Sequence, residues 1–150
     1  MPEIRLMTED DIKMAAELEK KCFGKEAWTE KDFKDSLSLD YALYFVASEK
    51  NQIIAMAGLR NICGDADITN VAVEPEYRRK GIAERVLAEL MHKSEETGVR
   101  NYTLEVRSKN IPAICLYEKL GFKKEGIRKN FYESPLDDAL IMWKRKEDEC

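Results

Sequence analysis

The chain has 150 residues, of which 44% are hydrophobic and 36% are charged, and its formal net charge is -4. This size and composition predict one domain over residues 1–150, and the acidic balance disfavours nucleic acid as a ligand. Apolar runs such as residues 53–57 are too short to span a bilayer, and residues 1–18 lack the pattern of a signal peptide, so we expect a cytoplasmic protein without membrane contact.

The first half of the chain predicts two helices followed by three strands. Each helix begins with a threonine that has an aspartate three residues later, which is a variant of the capping box. The strands are runs of β-forming side chains, and a short polar turn typical of a hairpin separates the first two. The predicted elements are helices over 8–22 and from 29, and strands over 41–48, 52–59 and 67–73.

The second half predicts two more helices and three more strands. Apolar residues recur at helical spacing from 82 onward, and Gly98 occupies the position where such a helix ends. Asn110 is a good N-cap for the second of these helices. The predicted elements are a helix from 82, a strand over 101–107, a helix over 112–120, and an antiparallel pair over 122–132 and 139–144.

This order of elements predicts a mixed α/β fold. Strands 67–73 and 101–107 flank one helix, a connection typical of a right-handed crossover between parallel strands. The sheet is expected to be mostly antiparallel, with this one parallel step and with flanking helices. The place where the two parallel strands diverge offers a site for an extended ligand.

Cysteine and histidine usage excludes several kinds of site. Cys22, Cys63, Cys115 and Cys150 are scattered without C-x-x-C pairs, which favours neither a zinc site nor a disulfide framework. The only histidine, His92, falls in the polar sector of a predicted helix, which disfavours Cys-His and Ser-His-Asp catalysis. We therefore expect no metal.

The stretch over residues 71–84, VAVEPEYRRKGIAE, predicts a site for pyrophosphate. It corresponds to a strand, a short basic turn and a helix that opens at Gly81, where backbone N–H groups and the helix dipole favour an anion. Arg78, Arg79 and Lys80 add positive charge, and Gly81 lets a ligand approach without meeting a Cβ. A solvated basic turn before an ordinary amphipathic helix is the alternative.

Two motifs resemble those of the GNAT acyltransferases. The spacing Arg78-x-x-Gly81-x-Ala83 is similar to their pyrophosphate loop, [Q/R]-x-x-G-x-[G/A]. Strand 101–107 and residues 110–122 are similar to their pattern of a strand followed by N-x-x-A-x-x-x-Y-x-x-x-G-F. Residues 128–132 and 138–142 resemble the amino-terminal acetyltransferases, most of all the RimI type, which acetylates the N-terminal alanine of a small-subunit ribosomal protein. The resemblance covers nearly the whole chain.

The resemblance implies acetyl-CoA as the cosubstrate and assigns residues to it. A strand would bind the pantetheine arm and offer a backbone N–H to the thioester carbonyl, the turn and helix start would hold the pyrophosphate, and an asparagine would add a further contact. The positions are Val71, Ala72 and Val73 for the strand, Arg78, Arg79, Lys80, Gly81, Ile82, Ala83 and Glu84 for the turn and helix start, and Asn110.

The same resemblance implies Glu105 as the general base and Tyr117 as the general acid. In the predicted strand, Glu105 points away from the face of Leu104 and Val106. A surface ion pair between Glu105 and Arg107 is the alternative for the base. A half-buried aromatic side chain with a tethered hydroxyl is the alternative for Tyr117.

Three aromatic residues, Trp28, Phe131 and Tyr132, are candidates for the peptide pocket, with packing in the core as the alternative. Phe131 stands where the family often has tyrosine, and the loop over residues 25–27 lacks the family's Phe-Pro. These departures affect the expected peptide specificity and leave the expected reaction unchanged.

The choice of amine follows from proton affinity. An α-amine has a pKa of about 7.7 to 8.0 and lysine about 10.4, so neutralising lysine costs about 3 to 4 kcal/mol more. One carboxylate acting through water suits the α-amine better. We therefore predict acetylation of a protein N-terminus, and the resemblance implies that this is the N-terminal alanine of a basic ribosomal protein. A GNAT acting on lysine or a small-molecule amine, and a non-catalytic acetyl-CoA-binding module, are the alternatives.

Overall fold

The computed structural model describes residues 2–133 and 135–146. Cys22, Cys63 and Cys115 are free cysteines, and Cys150 lies outside the described residues. The helices and strands are β1 (Glu3–Leu6), α1 (Ile12–Phe23), α2 (Glu30–Leu37), β2 (Ala42–Glu49), β3 (Gln52–Ile62), β4 (Asp65–Val73), α3 (Ile82–Glu95), β5 (Asn101–Arg107), α4 (Ile111–Lys119), β6 (Lys123–Glu133) and β7 (Leu136–Arg145).

The strands form one sheet in the order β1-β2-β3-β4-β5-β7-β6. Every neighbouring pair is antiparallel except β4 and β5, which are parallel and are connected through α3. The predicted mixed α/β fold, with a mostly antiparallel sheet and one parallel step, is confirmed.

The structure extends the prediction at the edge of the sheet and at one turn. β1 was not predicted, and it pairs with β2 as a four-residue edge strand. β3 and β4 are longer than expected because Cys63 and Gly64 join them in a tight turn, both with positive φ (54° and 95°). The helix expected from residue 8 begins at Ile12, after a 3₁₀ turn over Glu9–Asp11.

Hydrophobic clusters cover both faces of the sheet. On one face, Leu87 and Leu90 of α3 pack with Leu104 and Met142 of the sheet, all at most 3% exposed. On the other face, residues of α1 and α2 pack against β2, β3 and β4. Among the described residues, this second cluster includes none of β5 or β7, and Glu105 is exposed on that part of the face. None of the helices in the described ranges is long and apolar enough to span a membrane.

A bulge in β4 changes which residues face each cluster. Gly58 of β3 is opposite Asn70 and Leu59 is opposite Ile68, so Thr69 is the extra residue. After the bulge, Val71 packs on the α3 side of the sheet and Asn70 points toward α1. The bulge therefore sets the side-chain directions of the segment expected to bind the pantetheine arm.

One carboxyl group is buried under α1. Glu19 is 3% exposed, and burial raises its pKa from 4.5 to about 7, against the opposing effect of hydrogen bonds from the Trp28 amide and Asn70. Because the folded state holds this proton more tightly than the unfolded state, the group costs no stability below about pH 4.5 and destabilises the fold as the pH rises through about 7.

Replacement of Glu19 by glutamine should therefore stabilise the protein more at high pH than at low pH. A rise of pKa from 4.5 to about 7 corresponds to about 3 kcal/mol. Urea unfolding of both proteins at about pH 5 and about pH 8 measures this: the free energy of unfolding of Glu19→Gln minus that of wild type should grow with pH. A pH-independent difference would mean that the Glu19 carboxyl titrates normally.

Candidate active site

A gap opens between β4 and β5. Their parallel pairing covers Asp65–Asp67 with Asn101–Thr103 and then ends, while β4 continues to Val73 against β3 and β5 continues to Arg107 against β7. In the described part of the chain, no strand pairs with the inner edge of β4 beyond Asp67. An extended ligand can therefore use backbone donors and acceptors of β4.

The N-terminus of α3 has no side-chain cap, in contrast to α2 and α4. Thr29 and Asn110 cap those two helices. In α3, Gly81 adopts the left-handed conformation (φ 77°), and the first hydrogen bond of the helix runs from the Arg85 amide to the Gly81 carbonyl (3.2 Å). The amides of residues 82–84 form no hydrogen bond within the described residues, which suits an anion.

The turn before α3 is basic and exposed. Arg78 donates from Nε to the Val73 carbonyl (3.2 Å), which holds the turn against the end of β4, and Arg79 and Lys80 extend into solvent. A Cβ at Gly81 would meet no protein atom within 4 Å, so the space above the helix start is open. The structure thus brings the predicted turn and helix start together in a form that fits a pyrophosphate.

The first turn of α3 is joined to the last turn of α4. Glu84 forms an ion pair with Lys119 of α4 (2.8 Å). Asn110 caps α4 as predicted, accepting a hydrogen bond from the Ala113 amide (3.3 Å). Asn110 is exposed and lies in the loop between β5 and α4.

Glu105 lies beside the gap, on the face of β5 opposite the α3 cluster. Burial follows the predicted alternation, with Leu104 and Val106 buried and Glu105 exposed. Its Oε2 is 3.3 Å from Nε of Arg128, and its side chain is 31% exposed. The carboxylate is thus held by one partner and is also open to water, as a base acting through water requires.

Arg107 binds partners other than Glu105, with which a surface ion pair was the alternative. It donates to Glu26 (2.8 Å) and to the Pro135 carbonyl (2.6 Å), and its guanidinium lies 4.3 Å from the Tyr132 ring centroid. These contacts join the loop between α1 and α2 to β5 and to the β6–β7 hairpin. The pair that Glu105 forms is instead with Arg128 of β6.

Tyr117 is nearly buried in α4, 7% exposed, with its ring edge-on to Phe122 at 5.9 Å. Burial raises the pKa of the Tyr117 hydroxyl well above its usual value, and Tyr132 adds to the increase. The hydroxyl forms no hydrogen bond within the described residues, so the tethered alternative finds no support there. A phenol that stays protonated at neutral pH has a proton to donate.

The electrostatic causes of the pKa shifts connect the catalytic candidates. The pKa of Tyr132 is raised by burial and then by Glu105, and Tyr132 in turn acts on Tyr117. Glu105 also contributes, after burial, to the raised pKa of Asp67 on β4. Glu105 and Tyr117 therefore both interact electrostatically with Tyr132, although they project from different elements.

The three candidate peptide-binding aromatic residues lie on two segments. Trp28 is half-buried, 5.3 Å from the Phe33 ring, and so packs on the α1–α2 cluster. Phe131 is 47% exposed and lies edge-on to Tyr132 at 5.0 Å in the β6–β7 hairpin. The Glu26–Arg107 pair brings these segments to the same side of Glu105.

Sequence reasoning missed three charged residues near this site, Glu19, Asp67 and Arg128. Glu19 had a detectable signal, because it follows Ala15 by four residues on the apolar face of α1. Asp67 and Arg128 had no comparable signal, since their relation to Glu105 depends on strand pairing. Within residues 2–133 and 135–146, no group of three or more His, Cys, Asp or Glu side chains forms a possible metal site.

Replacement of Tyr117 by phenylalanine should reduce turnover and leave binding of acetyl-CoA nearly unchanged. The change removes the candidate proton donor and keeps the ring that packs against Phe122. Steady-state kinetics and calorimetric titration with the cofactor measure the two effects separately. Wild-type turnover in this variant would exclude Tyr117 as the acid.

Comparison with known proteins supports one family. The Acetyltransferase (GNAT) family model matches residues 12–122. A putative ribosomal protein bS18-alanine N-acetyltransferase of Bacillus subtilis is 37% identical over 141 residues, or 93% of each chain. The ribosomal protein bS18-alanine N-acetyltransferase of Escherichia coli K12 is 37% identical over 117 residues, or 77% of this chain and 78% of that protein.

A solved structure leads to the same family. The crystal structure of the ribosomal-protein-S18-alanine N-acetyltransferase from Escherichia coli superposes with a TM-score of 0.87 at 32% identity, covering 97% of this chain and 94% of that one. The family match spans the β4–β5 gap, the uncapped start of α3, Glu105 and Tyr117. The chain therefore belongs to the GNAT acetyltransferase family and is an acetyl-CoA-dependent N-acetyltransferase.

Proposed function

We propose that the protein transfers the acetyl group of acetyl-CoA to the α-amine of the N-terminal alanine of ribosomal protein bS18. The observation that carries the proposal is the partly exposed Glu105 carboxylate beside the gap, flanked by the α1–α2 loop and the β6–β7 hairpin. The names of the relatives from Bacillus subtilis and Escherichia coli support the same substrate. Such a substrate implies action in the cytoplasm.

Acetyl-CoA would bind along β4 and over the start of α3. The inner edge of β4 at residues 71–73, where no strand of the described residues pairs, would hydrogen-bond the pantetheine arm. The free amides of residues 82–84, together with Arg79 and Lys80, would hold the pyrophosphate. Asn110 would add a contact from the start of α4. Because this turn is basic, cofactor affinity should fall as salt rises.

Three groups of the chain would carry out the transfer. Glu105 would take a proton from the amine through one water molecule, so that the nitrogen can bond to the thioester carbon. A backbone N–H near Val73 would donate to the carbonyl oxygen as it gains negative charge. When the carbon–sulfur bond breaks, Tyr117 would protonate the thiolate. Glu105 would then release its proton to solvent, and the phenol would take one up from solvent.

The peptide would enter from the side of Glu105. Trp28, Phe131 and Tyr132 would line its path, since they lie on the two segments that flank this carboxylate. A ribosomal protein is a basic partner, and the net charge of -4 favours encounter with it. The lower proton affinity of an α-amine favours the N-terminus over lysine.

A panel of peptides that differ in the first residue tests this proposal. Each peptide carries the same basic residues after that position and is incubated with protein and acetyl-CoA. We expect the peptide beginning with alanine to be acetylated fastest, as measured by mass spectrometry. Equal rates for all first residues would contradict selection at the N-terminus, and absence of any peptide product would favour a small-molecule amine.

A further inference from the structure

A buried polar network lies beneath Trp28. Oε1 of Glu19 accepts hydrogen bonds from Nδ2 of Asn70 (3.2 Å) and from the Trp28 amide (3.5 Å). Oε2 of Glu19 is buried and has no partner within the described residues. One carboxyl group thus connects α1, β4 and the loop that carries Trp28.

The network continues from Asn70 to Arg60, which lies over the Trp28 ring. Oδ1 of Asn70 accepts from the Tyr44 hydroxyl (3.3 Å), and that hydroxyl is 3.0 Å from Oγ of Ser36. Arg60 donates to Ser36 (3.4 Å), and its guanidinium lies 5.5 Å from the Trp28 ring centroid. Trp28 is therefore fixed twice, through its amide by Glu19 and over its ring by Arg60.

The last turns of α1 follow β4 toward the cofactor site. Cys22 donates to the Val73 carbonyl (3.5 Å), and Lys21 forms an ion pair with Glu74. Of these contacts made by α1, the one between Glu19 and Asn70 lies nearest the start of β4. The loop over residues 24–29 thus leaves α1 from a helix end that is anchored along the strand.

A buried carboxyl group with one oxygen that has no partner within the described residues costs free energy at this position. Burial raises the pKa of Glu19 to about 7, which means that the environment disfavours its charged form. An apolar side chain would avoid this cost. What the carboxyl provides, and an apolar group does not, is an acceptor for the Trp28 amide and for Asn70.

We propose that Glu19 is a positioning residue for substrate, because its carboxyl group fixes the Trp28 loop against β4 and so shapes the pocket for the first residue of the peptide. This inference rests on the proposed function, in which Trp28 lines the peptide path. Glu19 acts through Trp28 and does not touch the reacting atoms.

Replacement of Glu19 by methionine separates positioning from stability. An apolar side chain of similar length fills the buried space, so the fold is retained, but the acceptor is lost. We expect the KM for the alanine peptide to rise at least about fivefold, with kcat and the acetyl-CoA KM nearly unchanged. Glu19→Gln keeps an acceptor oxygen and should restore the wild-type peptide KM. Glu17→Gln, on the exposed face of the same helix, is the control for charge.

Hydrogen exchange of the free protein gives a readout that does not depend on activity. Residues 24–29 should exchange faster in Glu19→Met than in wild type or Glu19→Gln, while α3 exchanges equally in all three. Faster exchange without any peptide acetylation by wild type would uphold the loop attachment and reject the proposed substrate. Unchanged exchange and an unchanged peptide KM in Glu19→Met, or a Glu19→Gln protein as impaired as Glu19→Met, would overturn the inference.

Discussion

Glu105→Gln is expected to lower kcat by about 10²-fold or more at neutral pH, the usual range for loss of a general base. Glutamine keeps the size of the side chain and its place beside Arg128 but does not accept a proton. The reduction of kcat relative to wild type should become smaller at high pH, because more of the amine is already neutral there. Steady-state rates with the alanine peptide across this pH range measure both effects.

The control for this variant is Glu95→Gln, an exposed glutamate in the last turn of α3. It removes the same charge far from the gap and should keep the wild-type rate. Full activity of Glu105→Gln at neutral pH would mean that Glu105 is not the base and only forms a surface ion pair with Arg128.

Gly81→Val is expected to raise the KM for acetyl-CoA at least about tenfold. The Cβ of valine would project from the start of α3 into space that no protein atom fills within 4 Å, which is the approach for the pyrophosphate. Calorimetric titration with acetyl-CoA measures the loss directly.

Gly98→Val is a matched control for backbone strain. Gly98 also has a positive φ (91°) and no atom within 4 Å of a Cβ, but it lies beyond the other end of α3. Both variants place valine in a left-handed conformation, at a cost of about 1–2 kcal/mol. Only Gly81→Val should weaken the binding of acetyl-CoA. An unchanged cofactor affinity in that variant, or an equal loss in Gly98→Val, would contradict the pyrophosphate assignment.

Local sequence signals were sufficient for most of the fold. Helix starts at Thr29 and Asn110 were visible because each cap depends on residues three positions apart, and both caps are present. β1 was missed because a four-residue edge strand offers too short a pattern. The bulge at Thr69 was also missed, since it is defined by pairing with β3.

For the candidate site, local sequence signals predicted the positions of the main residues. Alternation along β5 gave the outward direction of Glu105, and the Arg78–Ala83 motif gave the place of the open helix start. The partners of these residues were not predictable. Arg128 reaches Glu105 through pairing of β6, β7 and β5, and the Glu26–Arg107 pair joins residues 81 positions apart.

The most direct test of the account locates the acetyl group on matched peptides. One peptide begins with a free alanine and contains internal lysines, and the other has the same sequence with a blocked N-terminus. After incubation with the protein and acetyl-CoA, tandem mass spectrometry should find acetyl only on the α-amine of the free peptide and none on the blocked peptide. Acetylated lysines in the blocked peptide would contradict the account and identify a lysine acetyltransferase.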